Sequence, residues 1–369
     1  NDLKSDFEGF VKMDAVKDIP FYSCHFTTDF GSIMLGYGIK AYDASLLVRG
    51  AAWGATAPCY FKGLMEAVSA NKTAFGTSNT LYINNTNFAQ NYSGVYSRAI
   101  NNSYMHNNSF QIPSRPFPAF GGRNCTGVNM ETGSGYTLTS NIFGNVPASS
   151  SAHNNAVLVW NSGSADNFVK DNTVSNLSQG MISNYVNRNN PLSGGGTTGL
   201  QFLCNAQSSN VGTCIAALGT DPAQDGVRAE QGSNSRAAGN TFAHLIADIY
   251  NPTAQVGAVN YFHNAAPNAE PTINIGSATT TYTGASDGCA ASTLPISTSP
   301  TTTASGTMGT VFFGLPTPIS STSGLSGIAL REVLLHNITA YSFATEMPNR
   351  ISLLHSTYAA LGDAYSDLE

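Results

Sequence analysis

Short runs in which apolar and polar residues alternate recur along the chain, and polar turns separate them. The clearest case is residues 84–110, where a phrase of polar residue, Asn, small residue and aromatic residue ends at Phe88 and again at Phe110, 22 positions later. Between these ends, Gly94 indicates a turn that opens an alternating strand. A repeat of about this length predicts one coil of a parallel β-solenoid, whose coils bury their inner faces on their neighbours.

Apolar residues at comparable places continue this repeat, with longer intervals that fit insertions in the turns. They are Phe26, Phe61, Phe88, Phe110, Phe143 and Val174. We expect each to point into the coil and to stack on its equivalent. An asparagine lies two positions before Phe143, Val174 and the later Phe242, at Asn141, Asn172 and Asn240. We expect these asparagines to adopt positive φ in tight turns and to hydrogen-bond their counterparts in the next coil.

The pattern divides the chain into three regions. Residues 1–275 are predicted to form an all-β, right-handed parallel β-helix, with about nine or ten coils and its clear part between residues 10 and 263. Residues 276–326 are rich in Thr, Ser, Gly and Pro, which is typical of a linker or of an extended cap along the solenoid. In residues 327–369 the apolar period changes to 3.6, which predicts a helical hairpin that starts a further region.

Composition agrees with a solenoid and excludes several classes of protein. Only 10% of the 369 residues are charged, so Asn, Ser, Thr and Gly carry the polar surface. The net charge of −6, without a basic stripe, argues against nucleic acid as a partner. No apolar run is long enough to span a membrane. The chain begins with Asn and no signal peptide precedes it, so we expect a processed or excised piece.

The six cysteines form an even set without metal-type spacing. Together with few lysines and many Asn, Ser and Thr residues, they favour an extracellular location. Cys204 and Cys214 flank a short polar loop and are the candidate disulfide. The alternative is that several cysteines are free thiols buried in the coils.

An ordered set of phrases resembles a group of large secreted Bacteroidetes proteins. The phrases are GIKAYDA, NNTNF followed by GVY, NSF, DNFVKDNTVSNLSQGM, GLQFLCN, GVRAEQGSNSRAAGNTF, VNYFHN, a lone Cys289 and the terminal LGDAYSDLE. That group carries right-handed parallel β-helix repeats and is similar to cargo of the type IX secretion system. The resemblance is densest over residues 167–263, and it implies export and, for a parent protein, contact with the secretion translocon. It supplies no catalytic residues.

Two acidic groups are candidates for catalysis. Asp166, Lys170 and Asp171 form the densest charged cluster; Lys170 would be the base of a polysaccharide lyase, and the two aspartates could share a Ca²⁺ ion. A solvated coil face is the alternative. Asp221 and Asp225 lie in one loop, where they would serve either as the carboxylate pair of a glycoside hydrolase or as turn residues.

Other residues bear on metals and sugars. The histidine spacing predicts no metal site, which leaves Ca²⁺ as the one cofactor considered. Tyr96, Tyr104 and Trp160 are the candidate glycan-binding residues, with core filling as the alternative for stacked aromatics.

Three functions follow from these observations. The first is a non-catalytic, secreted or cell-surface β-helix that acts as a stalk or as an adhesion or glycan-binding surface. The second is a β-helix polysaccharide lyase or glycoside hydrolase. The third is a self-assembling subunit of an extracellular filament or secretion complex.

Overall fold

The computed structural model describes residues 8–28, 36–50, 57–73, 79–113, 124–145, 154–189, 198–208, 211–221, 223–252 and 257–289. Within these ranges the chain is all-β, and no helix occurs in them. No helix that is long and apolar enough to cross a membrane is present in this part of the chain.

The strands are short and follow one another closely. In chain order they are β1 (Gly9–Asp14), β2 (Ile19–Tyr22), β3 (His25–Thr27), β4 (Tyr37–Tyr42), β5 (Leu46–Arg49), β6 (Cys59–Lys62), β7 (Glu66–Asn71), β8 (Leu81–Asn84), β9 (Thr86–Ala89), β10 (Ser93–Arg98), β11 (Tyr104–His106), β12 (Ser109–Gln111), β13 (Cys125–Glu131), β14 (Thr137–Thr139), β15 (Ile142–Gly144), β16 (Asn154–Trp160), β17 (Asn167–Lys170), β18 (Thr173–Ser175), β19 (Gln179–Asn184), β20 (Leu200–Leu203), β21 (Ala206–Gln207), β22 (Val211–Leu218), β23 (Glu230–Gln231), β24 (His244–Asn251), β25 (Val259–His263), β26 (Asn274–Gly276) and β27 (Ala278–Tyr282).

Neighbours in each sheet come from successive turns of the chain. Sheet A has the order β1-β4-β7-β10-β13-β16-β19-β22-β24-β26, sheet B β2-β5-β8-β11-β14-β17-β20, sheet C β3-β6-β9-β12-β15-β18-β21, and sheet D β23-β25-β27. The pairings are parallel. The chain therefore visits three sheets before it returns to the first, which is the strand order of a parallel β-helix.

A column of phenylalanine rings fills the interior behind sheet C. Phe61, Phe88, Phe110 and Phe143 are paired in successive strands, and Val174 follows Phe143 in the same register. Ring centroids from Phe26 to Phe143 are 5.0, 5.3, 4.6 and 4.7 Å apart. The predicted equivalence of these positions is confirmed.

Gly94 has a packing role rather than the predicted turn role. It lies within β10, and a Cβ at this position would stand 2.7 Å from Cδ1 of Phe110. Only glycine leaves the ring enough room at this distance. A Cβ at Gly127 would stand at the same distance from Cδ1 of Phe143, so in both coils the glycine makes room for the phenylalanine ring.

A ladder of buried asparagines, here called the Asn ladder, runs along the turn between sheets B and C. Its members are Asn108, Asn141, Asn172, Asn205 and Asn240. Each of the first four donates from its backbone N–H and from Nδ2 to Oδ1 of the next, at 2.9–3.1 Å. Each Nδ2 also donates to a backbone carbonyl of the preceding coil. The last member donates to the hydroxyl of Tyr261, which ends the ladder.

The predicted bond between counterparts is confirmed, whereas the predicted positive φ belongs to the residue before each ladder asparagine. Those preceding residues are Asn107, Ser140, Asp171, Cys204 and Gly239. The preceding residue turns the chain, and the asparagine keeps the backbone that directs its amide inward. The preceding residue contributes only the turn and the asparagine contributes the amide bonds. This is why Asn, Ser, Asp, Cys and Gly all occur at the preceding position.

The coils continue beyond the predicted end of the β-helix at residue 275. Strand β27 lies in the region predicted as cap or linker, yet it pairs in parallel with β25 over five positions. The rest of that region, 290–326, and the predicted helical hairpin at 327–369 lie outside the described residues.

The disulfide joins Cys204 to Cys289 and not to Cys214 as predicted. Cys204 ends β20 at the turn to sheet C, whereas Cys214 is buried within β22 of sheet A, so the two lie on different sides of a coil. Burial raises the pKa of the Cys214 thiol to about 12. The bond spans 85 residues, and closing a loop of that length in the unfolded chain is worth roughly 4 kcal/mol in the chain-entropy account.

Candidate functional site

The outer face of sheet A brings together residues from five successive strands, β4 to β16, and from the turn after β19. Parallel pairing without offset aligns them in columns along the solenoid. One column contains Lys40, Ser69, Tyr96 and Asn129, and the next contains Tyr42, Asn71, Arg98, Glu131 and Trp160. We use the term sheet A face for Lys40, Glu66, Tyr96, Arg98, Glu131, Trp160 and Tyr185.

Glu131 is the hydrogen-bonding centre of the sheet A face. The hydroxyl of Tyr96 donates to its Oε2 at 2.6 Å, and Nε of Arg98 lies 3.3 Å from its Oε1. Burial and the bond to Glu131 raise the pKa of Tyr96, so the phenol remains a donor at neutral pH. The carboxylate is therefore held by two partners, while the Arg98 side chain keeps 59% of its surface exposed and can donate to a ligand.

Trp160 supplies an exposed aromatic surface next to this carboxylate. It is the direct neighbour of Glu131 in the following strand and is 38% exposed. Its ring lies 4.9 Å from the ring of Tyr185, at an angle of 41°. Tyr185 has a φ of 58°, a value that a bulky residue rarely adopts. The same positive φ recurs at the residue that follows each neighbouring strand of sheet A, at Ala99, Thr132 and Asn161, so it belongs to the turn of the coil.

A half-buried carboxyl group, Glu66, lies on the other side of Tyr96. Burial raises its pKa, and Ser69 and Lys40 oppose that shift. Lys40 itself lies over the ring of Tyr37, with Nζ 4.1 Å from the ring centroid. The sheet A face thus combines an acid with raised pKa, a second carboxylate, two cations and aromatic rings.

The three predicted aromatic residues do not share one surface. Tyr96 and Trp160 lie on the sheet A face, as described above. Tyr104 lies on the outer face of sheet B, where its ring stacks on Tyr82 with centroids 5.7 Å apart. Core filling, the alternative considered for these residues, does not apply to Tyr104 and Trp160, because both are 38% exposed.

The predicted pair of Asp166 and Asp171 does not form one ion site. The two residues flank strand β17 and are five positions apart, roughly 16 Å along an extended strand. Calcium–oxygen distances are about 2.3–2.6 Å, so side chains this far apart cannot share an ion. Asp166 accepts from the backbone N–H of Gly199, and Asp171 accepts weakly from Thr139 at 3.5 Å.

Asp221 and Asp225 have the turn role that was considered as their alternative. Oδ2 of the buried Asp225 accepts from the backbone N–H groups of Thr220 and Asp221, at 2.6 and 2.8 Å. Asp221 accepts from the backbone N–H of Ala223 at 2.9 Å. Both carboxylates are thus occupied within their own loop.

Among the described residues, no group of three or more His, Cys, Asp or Glu side chains could hold a metal ion. The Ca²⁺ proposal therefore has no supporting cluster in that part of the chain.

Sequence reasoning missed Glu66, Arg98, Glu131 and Tyr185. A signal for one pair was present, because Arg98 and Glu131 are separated by 33 positions, as are Phe110 and Phe143. Equal separations within the same two coils place both pairs in register. Phe110 and Phe143 give the spacing of these two coils. A search of the polar residues for the same spacing would have found the column that contains Arg98 and Glu131.

Comparison of this chain with protein-family models, with curated proteins and with solved structures finds no match.

Proposed function

We propose that the protein is a secreted or cell-surface β-helix that binds glycans on the sheet A face. The observation that carries this proposal is the exposed ring of Trp160 beside Glu131, whose carboxylate is held by Tyr96 and Arg98.

The chemistry of this arrangement suits a sugar ring. A pyranose has an apolar face of C–H groups that packs on an aromatic ring, and a rim of hydroxyls that need donors and acceptors. Trp160 and Tyr185 would provide the apolar contact. Glu131 would accept from hydroxyls and Arg98 would donate to them, as charge-assisted hydrogen bonds. Strands hold these groups in fixed positions, which lowers the entropic cost of binding.

The proposal includes export and a wider architecture. The resemblance to secreted Bacteroidetes β-helix proteins supports export by a type IX system, with the translocon as a partner of a parent protein. The Cys204–Cys289 disulfide is compatible with an oxidising compartment. The coils would wind right-handedly, as parallel crossovers nearly always do.

Trp160→Ala is expected to weaken binding of neutral oligosaccharides by about tenfold or more, because a stacked ring contributes on the order of 1–2 kcal/mol. A glycan array with oligomers of glucose, xylose, mannose and galactose would identify the ligand, and calorimetry would measure its affinity. Tyr282→Ala is the matched control, since this ring is exposed but lies on sheet D, away from the outer faces of sheets A and B. Absence of any bound glycan, or equal affinity of wild type and Trp160→Ala, would contradict the proposal.

One observation favours a glycoside hydrolase as the second candidate. Glu66 has a raised pKa, which suits a general acid, and it shares the sheet A face with Glu131. If the protein hydrolyses the glycan that it binds, Glu66→Gln should lower the rate at least a hundredfold and leave affinity nearly unchanged. Activity should also fall as the pH rises through the pKa of Glu66, because the acid form donates the proton.

Release of reducing ends from the array ligand is the measurement, and Glu230→Gln is the control because that carboxyl lies on sheet D. If wild type releases no reducing ends, this second candidate is wrong while the binding function stands.

A further inference from the structure

The outer face of sheet B carries a column of cationic side chains. In the register of the sheet, Arg49, Asn84, His106, Thr139 and Lys170 lie side by side on consecutive strands. A basic or protonatable group therefore occupies every second strand, at a spacing of roughly 10 Å. We use the term sheet B face for Arg49, His106, Lys170, Tyr82, Tyr104 and Phe168.

An aromatic column runs beside the cationic one. Tyr82, Tyr104, Thr137 and Phe168 are paired in consecutive strands. The hydroxyl of Tyr82 lies 2.7 Å from Nε2 of His106, so the aromatic column also fixes the imidazole. Tyr104 and His106 rings are 5.0 Å apart. The cationic column is thus supported by its neighbours rather than formed by isolated long side chains.

Carboxylates are missing from this sheet in a chain that otherwise has more acids than bases. None of the seven strands of sheet B contains Asp or Glu. The whole chain has 22 acidic and 16 basic residues. Asp171 follows the last strand of the cationic column and lies near Thr139. The strands of sheet B therefore carry basic groups without acidic ones, and Asp171 lies at one end of the column.

We infer that the sheet B face binds an acidic polysaccharide that runs along the solenoid axis, with its carboxylates on Arg49, His106 and Lys170 and its sugar rings against the aromatic column. The site is separate from the sheet A face, so the inference does not depend on the function proposed there.

Charge density favours a polysaccharide over a nucleic acid. A nucleic acid strand carries a phosphate about every 3.4 Å, and a protein that binds it neutralises several of them. The sheet B face offers one cationic or protonatable group for roughly 10 Å, which is comparable to the length of two linked pyranose units. An acidic polysaccharide has this lower charge density, and arginine forms forked hydrogen bonds with its carboxylates.

His106 makes the proposed site sensitive to pH. Burial and the charge of Arg49 lower its pKa, so the imidazole is neutral at neutral pH and becomes cationic as the pH falls. The other groups facing it are Tyr82 and Asn84 on β8, Tyr104 on its own strand, and Thr137 and Thr139 on β14. Binding of a carboxylate polymer should therefore tighten on acidification through the lowered pKa of His106, over the range in which the carboxylates stay ionised.

The test uses the full chain and oligosaccharides of hyaluronan, alginate and polygalacturonate, each with its methyl ester as a neutral match. Binding of at least one acidic oligomer, and weaker binding of its ester, is the expected result. Arg49→Gln and Lys170→Gln should each reduce affinity by about tenfold, because a charge-assisted hydrogen bond is lost. Trp160→Ala should leave this affinity unchanged, which separates the site from the sheet A face.

Lys12→Gln is the matched charge control, since Lys12 is an exposed lysine on sheet A. Three results would overturn the inference. They are no binding of any acidic oligomer, equal binding of acid and ester, and an equal loss of affinity in Lys12→Gln and Lys170→Gln. Tighter binding of a single-stranded DNA oligomer than of every glycan would assign the sheet B face to nucleic acid instead. Unchanged melting temperatures of the surface variants would show that they remain folded.

Discussion

Asn172→Ala is expected to lower the thermal unfolding midpoint by roughly 10 °C, which corresponds to a loss of about 3–5 kcal/mol of unfolding free energy. Oδ1 of Asn172 accepts from both the backbone N–H and Nδ2 of Asn141, at 2.9 Å each. Its Nδ2 donates to the carbonyl of Leu138 and to Oδ1 of Asn205. Alanine removes all of these bonds inside the solenoid, and a buried group without a partner costs about 1–3 kcal/mol.

Differential scanning calorimetry measures this effect, and Asn184→Ala provides the control. Asn184 lies on the outer face of sheet A, where an Asn-to-Ala change should cost within about 0.5 kcal/mol. Asn172→Asp places a buried carboxylate against the carbonyl of Leu138 and Oδ1 of Asn205, so a loss at least as large as that of alanine is expected. Similar midpoints for Asn172→Ala and Asn184→Ala would show that the Asn ladder contributes little to stability.

Phe110→Ala is expected to lower the free energy of unfolding by about 3–5 kcal/mol, because it leaves a cavity in the ring column. Phe110 is buried between Phe88 and Phe143, with centroid distances of 4.6 and 4.7 Å and ring planes within 12° of parallel. The adjacent Gly94 has no side chain that could fill the space. Phe110→Leu should cost less, roughly 1–2 kcal/mol, because most of the volume is retained.

Urea unfolding followed by far-ultraviolet circular dichroism gives the midpoint and the slope for each variant. Ile142→Ala is the control, since this apolar side chain lies in the neighbouring strand but is 45% exposed. Ile142→Ala should lower the free energy of unfolding by no more than about 0.5 kcal/mol. A Phe110→Ala midpoint equal to that of Ile142→Ala would contradict a continuous core.

The same period that predicts the core could have predicted part of the functional surface. The number of positions between Phe110 and Phe143 in the sequence equals that between Arg98 and Glu131. The charge clusters chosen from local sequence, such as Asp166 with Asp171, failed because strand geometry separates residues that are near in sequence. Conversely, Arg49, His106 and Lys170 are distant in sequence, yet the register of sheet B places them in one column.

The sequence alone was sufficient for the fold class and for the core, because stacked coils bury one repeated set of positions and the repeat is visible as a period. It also identified the asparagines that bond between coils. It could not decide the partner of Cys204, the continuation of the coils past residue 275 into β27, or the composition of the two outer faces. All three features depend on which residues of neighbouring strands are paired. The turn insertions differ in length, so this register is defined only when the strands have paired in the folded protein.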